Sequence, residues 1–261
     1  MRILTSGALS GLGKHLYERF GGLAWTRQLP AHDREEIKRE GVDVVFHCAA
    51  TSRRPVTSDD LYEYIADNVL LTEELVSVPH RKFVFVSSVD VYPCGHEPRS
   101  ENSVIDVDTV RGIYGKTKLM SEAIVQRHCP DHLILRCVAL LGEHARKNSL
   151  TRILDDDSCT LTLSGDSQFN YVLHEDVSEF IESAVKNDVR GIYNVASSEN
   201  VTLSEVVDIF NRRVDFGAYR YAISDVDNKR IASIFPAFRK TSKEVVARFA
   251  RERAGRRQRC S

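Results

Sequence analysis

The sequence predicts an α/β fold in which a doubly wound parallel sheet carries a small C-terminal lobe. Three observations predict it. Short apolar runs, of the kind that form buried parallel strands, alternate along the chain with stretches of helical periodicity. A glycine-rich turn joins the first of these runs to the first helix. The 261 residues are enough for one large domain, or for a domain with a smaller lobe.

The expected elements follow in order along the chain. Strands are predicted over Arg2–Thr5, 22–28, Val42–Ala50, Lys82–Ser88 and His132–Val138. Helices are predicted over Lys14–Phe20 and Asp60–Val76, and the short segment 28–41 indicates an abbreviated crossover helix. A doubly wound sheet places its ligand cleft at the carboxyl ends of the parallel strands.

Composition narrows the possible functions. Hydrophobic residues make up 42% of the chain and charged residues 28%, so a packed core is expected. The net charge of −1 argues against a nucleic-acid binder, and no apolar run reaches membrane-spanning length. The six scattered cysteines indicate reduced thiols and a cytoplasmic protein. No metal site is expected, since Pro130 interrupts the helix that would align His128 and His132.

The first glycines indicate a phosphate-binding turn. Gly7, Gly11 and Gly13 lie between the first strand and the first helix, where the backbone can turn sharply and let an anion approach its amides. A plain tight turn gives the same pattern, so the glycines alone leave both readings open. The strand ends at Ala49–Thr51 and Ser87–Ser88 are expected on the same rim of the sheet.

Tyr114 and Lys118 are four residues apart on a predicted helix, so their side chains share one face. Tyrosine is a poor base, with an ordinary pKa near ~10. A neighbouring lysine cation is expected to lower the pKa of Tyr114, and a shift of about three units requires roughly 4 kcal/mol. With the Ser88 hydroxyl at the strand end, the three side chains predict a proton relay beside a hydride carrier. A half-buried helical tyrosine and a serine that binds a loop amide are the structural alternatives.

At this point the sequence resembles a known family. The matching motifs are TSGALSGLG, DVVFHCAA, DNVLLTEEL, FVFVSSVDVYP, YGKTK, GDSQFNYVLHEDV and GIYNVASSENVTLSEV, which cover residues 1 to about 210. In this order and at these spacings they resemble the extended short-chain dehydrogenases, also called the NAD-dependent epimerase/dehydratase family. The resemblance implies a Rossmann-type sheet and an NAD(P)-dependent reductase or epimerase.

The resemblance also implies roles for individual residues. Tyr114 would be the acid/base, Lys118 would also bind the nicotinamide ribose, and Ser88 would orient the reacting oxygen. The predicted cofactor-binding residues are Gly7, Ser10, Gly11, Leu12, Gly13, Thr26, Arg27, Ala49, Ala50, Thr51, Asn68, Ser87, Tyr114 and Lys118. The predicted substrate-binding residues are Ser88, Val89, Asp90, Tyr114 and Ala139.

The chain departs from the family at the substrate side. Val89-Asp90 stands where sugar dehydratases often have two acids, so water elimination is not expected, and Asp90 is either a second acid or a solvated carboxylate. Phe169 replaces a frequent arginine, and Ala139 replaces a frequent asparagine. The predicted substrate is a sugar nucleotide or a related carbohydrate, with a non-sugar ketone or a non-catalytic NAD(P) sensor as alternatives. Five cations that could replace the arginine are interpreted as surface charges: Arg146, Lys147, Arg152, Arg212 and Arg239.

Thr26 and Arg27 decide the predicted cofactor. They follow the second strand, where NAD enzymes of this class usually have an acid for the ribose 2′-hydroxyl. An arginine there can pair with a 2′-phosphate, so NADP is favoured over NAD.

Two parts of the chain are expected. Residues 1–139 form the dinucleotide-binding domain, to which 171–198 return, while 140–170 and 199–261 form the substrate lobe and a basic C-terminal helix and tail. Val245, Val246 and Phe249 give that helix an apolar stripe. A homodimer is expected from the family.

Overall fold

The structure is a computed structural model that describes residues 1–52, 55–93, 97–110, 112–156, 158–223 and 225–257. Its strands are β1 (Ile3–Ser6), β2 (Leu23–Trp25), β3 (Val42–His47), β4 (His80–Ser88), β5 (His132–Cys137), β6 (Ala139–Leu141), β7 (Cys159–Leu163), β8 (Gln168–Phe169), β9 (Tyr171–Leu173), β10 (Gly191–Val195), β11 (Val201–Thr202) and β12 (Val214–Tyr219). Its α-helices are α1 (Gly11–Phe20), α2 (Ala31–Glu40), α3 (Leu61–Ile65), α4 (Leu71–Val76), α5 (Gly112–His128), α6 (Ser149–Asp155), α7 (His174–Lys186), α8 (Leu203–Phe210), α9 (Lys229–Ile234) and α10 (Ser242–Arg257). A π-helical segment, Ala66–Leu70, joins α3 to α4, and a 3₁₀ turn, Val89–Val91, follows β4.

Six parallel strands form the central sheet in the order β10-β5-β4-β3-β1-β2, which confirms the predicted fold class. The chain leaves β1 toward one edge and returns on its other side with β3, so the order reverses between these two strands. Ser6 pairs with His47 at this point. The turn after β1 and the loop after β3 therefore flank the position where doubly wound sheets bind their ligands.

The predicted elements agree with the structure to within a few residues, with two differences. Helix α1 begins at Gly11, three residues before the predicted start, so Gly11 and Gly13 belong to the first helical turn rather than to the loop. The segment after β2 was predicted to hold an abbreviated helix, but α2 has ten residues, as many as α1. The prediction rested on the short length of segment 28–41, but the helix occupies most of that segment, and Ile37 is its buried residue.

Apolar side chains cover both faces of the central sheet. One core contains Leu16 of α1 and Phe180 of α7 against Phe46 and Leu135. Residues of the same strands that point the other way, such as Phe85, pack with α2, α4 and α5. Because both faces are buried, these strands are apolar throughout instead of alternating, which is what made them recognisable in the sequence.

A third apolar core forms the lobe. It contains Leu150 and Ile153 of α6 together with Val245, Val246 and Phe249, so the predicted stripe on α10 is confirmed. Residues 258–261 of the basic tail lie outside the described residues. The domain boundaries stay a prediction.

None of the helices in the described part of the chain is both long enough and apolar enough to cross a membrane. Within the same ranges, no three His, Cys, Asp or Glu side chains are grouped closely enough to bind a metal ion.

Candidate active site

A cleft of about 910 Å³ lies at the carboxyl end of the central sheet. Its walls come from the turn after β1, from the ends of β2 to β5, from the start of α5 and from the loop before α6. The predicted site residues that line it are Gly7, Ser10, Gly11, Leu12, Gly13, Thr26, Arg27, Ala49, Ala50, Thr51, Ser87, Ser88, Tyr114, Lys118 and Ala139. Residues far apart in the sequence thus meet in one cavity.

The glycine turn fits a dinucleotide pyrophosphate. Gly7 has φ +73°, and a Cβ on it would lie 2.8 Å from the Ala49 nitrogen. A Cβ on Gly13 would lie 2.4 Å from the Gly7 carbonyl oxygen, so the first turn of α1 packs directly on the turn before it. A Cβ on Gly11 would meet no atom within 4 Å. The backbone is therefore bare at the amino end of α1, where the helix dipole favours an anion.

Gly11 has a second contact that the sequence did not predict. Its N–H donates to the carbonyl oxygen of His144 at 2.8 Å. This bond fastens the loop between β6 and α6 to the glycine turn. One of the amides expected to bind phosphate is therefore already paired with the lobe.

Tyr114, Lys118 and Ser88 all line the deep part of the cleft. The Lys118 ammonium donates to the Val86 carbonyl oxygen at 2.7 Å and lies 5.9 Å from the centre of the Tyr114 ring. The Ser88 hydroxyl oxygen accepts the Asp90 N–H at 3.1 Å, which is the loop-amide contact that the sequence left as an alternative. Accepting that bond leaves the Ser88 O–H free to donate to a ligand oxygen.

Electrostatics at Tyr114 differ from the sequence-based expectation. Burial, and then the Asp90 carboxylate, raise the pKa of Tyr114 above its ordinary value instead of lowering it. Burial also lowers the pKa of Lys118 to about 8. The expectation considered the lysine charge alone, whereas Lys118 is buried and Tyr114 is half-buried on the cleft wall, so the loss of hydration dominates at both groups. Arg146 acts in the other direction on Tyr114, because its charge lowers the pKa of that phenol.

Three predicted site residues do not line the cleft. The carboxamide of Asn68 is 3% exposed, and both of its ends bind the backbone of Thr51, so it supports the wall from behind. Val89 packs against the core of the sheet. Asp90 lies in the 3₁₀ turn after Ser88, from where its charge acts on Tyr114 without reaching the cavity wall.

The end of β2 carries two arginines instead of an acid. Arg27 is 81% exposed and forms an ion pair with Asp67. Arg34 of α2 donates to the Thr26 carbonyl oxygen at 3.1 Å, with its guanidinium 5.4 Å from the Trp25 ring centre. Both line the cleft. The sequence indicated Arg27 by its position after the strand but gave no signal for Arg34, which reaches the cleft from a helix.

A buried polar network lies beneath the cleft and was also missed. Ser87 donates to Glu122, and Glu122 pairs with Arg136 at 2.7 Å. Arg136 donates to the Tyr92 hydroxyl at 2.9 Å, and Tyr92 donates to the Asn194 side chain at 2.7 Å. Arg136 stands inside the apolar strand β5, and a charge in a strand that is buried on both faces is the signal that could have revealed it.

Phe169, which replaces the family's arginine, does not line the cleft. Its ring stacks on Tyr221 at 4.8 Å and on Tyr171 at 5.8 Å between ring centres. Of the five cations interpreted as surface charges, Arg146 and Lys147 line the cleft, where both side chains are exposed. Both lie on the loop after β6, whose position depends on the packing of the lobe.

The fold and this cleft define a class of nucleotide-binding enzyme, and the comparison with family models agrees. The model of the NAD dependent epimerase/dehydratase family matches residues 22–196, so the chain belongs to this family. This confirms the family and the enzyme class that the motifs predicted.

The individual relatives share little sequence identity with this chain. Methionine adenosyltransferase 2 subunit beta from Danio rerio is 26% identical over an alignment of 244 residues that covers 80% of this chain and 74% of that protein. Human dTDP-D-glucose 4,6-dehydratase is 23% identical over 184 residues, and the match spans 65% of this chain but only 52% of the human protein.

Solved structures show the same fold over nearly the whole chain. UDP-glucuronic acid 4-epimerase from Bacillus cereus, solved with UDP-glucuronic acid and NAD, has a TM-score of 0.76 at 17% identity, covering 97% of this chain and 99% of that one. The dTDP-4-dehydrorhamnose reductase from Bacillus anthracis, solved with NADP, has a TM-score of 0.78 at 16% identity, covering 96% and 99%.

Proposed function

We propose that this protein is an NAD(P)-dependent reductase or epimerase that acts at a hydroxyl or keto carbon of a sugar nucleotide. One observation carries the proposal: Ser88, Tyr114 and Lys118 line the same cleft as the bare glycine turn. The geometry suits a dinucleotide along the strand ends and a reacting carbon beside the phenol. The relatives support the substrate class, since structures with this fold were solved with a sugar nucleotide or with NADP.

The chain's own residues have distinct roles in this reaction. When bound, the nicotinamide would supply or accept the hydride. Tyr114 donates a proton to the oxygen of a keto carbon that is being reduced, or takes it from a hydroxyl that is being oxidised. Ser88 holds that oxygen with its free O–H, and Lys118, fixed on the Val86 carbonyl, places a cation beside Tyr114.

Net reduction and epimerisation differ in their use of cofactor. In a reduction, one hydride and one proton are added to each keto group, and one reduced cofactor is consumed. In an epimerisation the hydride leaves and returns, so nothing is consumed. The test incubates the purified protein with 4-keto sugar nucleotides and NADPH or NADH, and with 4-hydroxy sugar nucleotides and NADP or NAD, while absorbance at the reduced-nicotinamide band is followed. Loss equal to product formed identifies a reductase, and turnover without loss identifies an epimerase. Absence of any turnover with either cofactor would contradict the proposal.

NADP is the proposed cofactor. The end of β2 presents Thr26 and Arg27 in place of a carboxylate, and Arg34 adds a second cation from α2. A 2′-phosphate between two guanidinium groups forms charge-assisted hydrogen bonds that a 2′-hydroxyl cannot match.

A binding role as a subunit of another enzyme is the second candidate. It is favoured by the Danio rerio relative, which is by name a subunit of methionine adenosyltransferase 2. Tyr114→Phe separates the candidates, because it removes the acid/base while keeping the ring. Loss of turnover with unchanged cofactor affinity supports the enzyme, whereas unchanged activity in every assay supports the subunit. The homodimer that the family resemblance implies stays a prediction, and light scattering tests it.

A further inference from the structure

The cations that line the cleft are paired with acids at one end of the cleft and not at the other. Its lining cations are Arg27, Arg34, Lys118, Arg146 and Lys147, and the acids among its described lining residues are Asp67 and Glu74. At the end of β2, Arg27 pairs with Asp67, and Arg34 lies 3.7 Å from Glu74. Both acids are therefore paired with cations at the end of β2. The positive charges of Arg146 and Lys147, on the opposite wall, are not balanced by an acid of the cleft lining.

Arg146 lies on that opposite wall and binds neutral oxygens. Its guanidinium donates to the Ser52 hydroxyl and to the Ala50 carbonyl oxygen, each at 3.1 Å. Within the described ranges, no carboxylate lies within ion-pair distance of Arg146 or Lys147. Hydrogen bonds from a guanidinium to an anion are stronger than those to neutral oxygens, so an anion in the cleft would displace both contacts. The exposed side chain has room to make that exchange.

Arg146 also acts on the reactive end of the cleft. Its charge lowers the pKa of both Tyr114 and Lys118. The other arginines considered for anion binding are held elsewhere: Arg152 donates to the Thr160 carbonyl, Arg212 to that of Leu154 and Arg239 to that of Ala232. None of those three lines the cleft.

We propose that Arg146 binds a phosphoryl group of the ligand in this cleft, exchanging its contacts to Ala50 and Ser52 for a pair of hydrogen bonds to phosphate oxygens, with Lys147 adding a second positive charge. The planar fork of the guanidinium matches two oxygens of one phosphoryl group. The inference rests on the proposed function, which supplies two sources of that group. One is the pyrophosphate of the dinucleotide, and the other is the diphosphate of a nucleotide-linked substrate.

Calorimetric titrations of Arg146→Met and Arg146→Lys test the inference. Each variant is titrated with NADPH in one arm and with UDP and dTDP in the other, at two salt concentrations. Arg152→Met is the matched control, because it removes an exposed arginine outside the cleft. We expect Arg146→Met to weaken binding by about 10- to 100-fold in at least one arm and to reduce the salt dependence of that affinity. Arg146→Lys should recover part of the loss, and Arg152→Met should match the wild type.

The arms identify the source of the phosphoryl group. A loss confined to NADPH assigns Arg146 to the pyrophosphate of the dinucleotide, and a loss confined to UDP or dTDP assigns it to the substrate. Unchanged affinity and salt dependence in both arms would overturn the inference, as would an equal loss in Arg152→Met. Failure of the wild type to bind any nicotinamide dinucleotide overturns the proposed function instead, and the nucleoside diphosphate arm then decides the inference alone. Thermal unfolding of each variant establishes that the compared proteins are folded.

Discussion

The carboxamide of Asn68 bonds to both backbone polar groups of Thr51. It accepts the Thr51 N–H at 2.8 Å and donates to the Thr51 carbonyl oxygen at 3.0 Å. Asn68 lies in the π-helical segment between α3 and α4, whose wider turn carries it at 3% exposure behind the loop after β3. Asn68, which the sequence predicts to bind the cofactor, therefore holds Thr51 in place at the cleft wall.

Asn68→Ala should weaken cofactor binding without changing the chemistry. Loss of the two hydrogen bonds frees the loop at Thr51, and at about 1 kcal/mol each we expect the affinity for NADP(H) to fall by roughly 10- to 30-fold. With saturating cofactor the turnover rate should stay near that of the wild type. Steady-state kinetics measure both effects. Asn187→Ala is the control, because that side chain bonds only within the end of α7. An unchanged KM for the cofactor would contradict the assigned role.

Removing one partner of the buried ion pair between Glu122 and Arg136 should destabilise the protein strongly. Its side chains are 0% and 5% exposed, so Glu122→Gln leaves a buried cation without its partner. We expect the free energy of unfolding to fall by about 3–5 kcal/mol, measured by urea denaturation. Glu182→Gln, which breaks surface pairs with Arg19 and Lys186, should cost no more than about 1 kcal/mol. Equal losses in the two variants would refute this ranking.

The direction of catalysis should depend on pH. Because burial and Asp90 raise the pKa of Tyr114, the phenol is protonated near neutral pH and ready to act as an acid. Reduction of a keto sugar should therefore proceed at neutral pH, while oxidation should accelerate as the pH rises. Lys118, with its pKa lowered to about 8, loses its charge above that pH, so the rate of reduction should fall there. Initial rates in both directions between about pH 6 and about pH 10, on both sides of the Lys118 transition, give the profiles.

Ser88→Ala is the control for these profiles. It removes the hydroxyl that orients the substrate but no titrating group, so the rates should fall while the shape of each profile stays the same. A reduction rate that rises steadily from pH 7 to pH 10 (about two units past the Lys118 transition) would contradict the assignment.

Arg27 should distinguish the two dinucleotides. Arg27→Ala removes a partner for the 2′-phosphate and also leaves Asp67 without its ion pair, so a carboxylate then faces the phosphate. We expect the Kd for NADP to rise at least ~10-fold and the Kd for NAD to change little. Lys38→Ala is a suitable control, since Lys38 pairs with Glu74 from outside the cleft lining. An equal loss for both dinucleotides would place Arg27 away from the 2′ position.

Acid should destabilise the protein through two buried histidines. Burial lowers the pKa of His47 well below its ordinary value and that of His174 to about 3. Below about pH 6.5 these histidines bind protons in the unfolded chain but not in the folded chain. The free energy of unfolding therefore falls as the pH drops from there toward about 3, by up to about 1.4 kcal/mol per pH unit for each histidine. Urea denaturation at several pH values measures the slope. His174→Gln should flatten it, and His32→Gln, at an exposed site, should not.

Buried parallel strands were the most predictable part of the fold. HLILRC in β5 was placed to within one residue, because a strand covered on both faces is apolar along its whole length. The start of α1 was less predictable. Glycines are poor helix formers, so Gly11 and Gly13 looked like loop residues. In the structure both lie in the first turn of α1, where a Cβ on Gly13 would collide with the Gly7 carbonyl and Gly11 has φ +59°.

Within the candidate site, sequence spacing predicted which side chains of a single helix lie together. It did not predict properties that depend on how different elements pack against each other. Tyr114 and Lys118 share a helical face, so their separation of four residues was informative. The pKa of Tyr114 could not be inferred in this way, because it depends on burial by neighbours from other elements. Arg146 was interpreted as a surface charge for the same reason. Its contacts to Ala50 and Ser52 join segments that are almost a hundred residues apart.

Strand β10 joins the central sheet from a distant part of the sequence, and this limits where the chain can be truncated. This edge strand comes after the lobe strands β6 to β9 and pairs with β5 along its full length, from Gly191 beside Leu133 to Val195 beside Cys137. A fragment that stops near residue 139 would lose that pairing and leave one of the most apolar strands of the protein with a bare backbone edge. Such an edge recruits strands from other molecules, so the fragment would be prone to aggregate. A fragment that keeps this sheet complete must therefore extend past Val195.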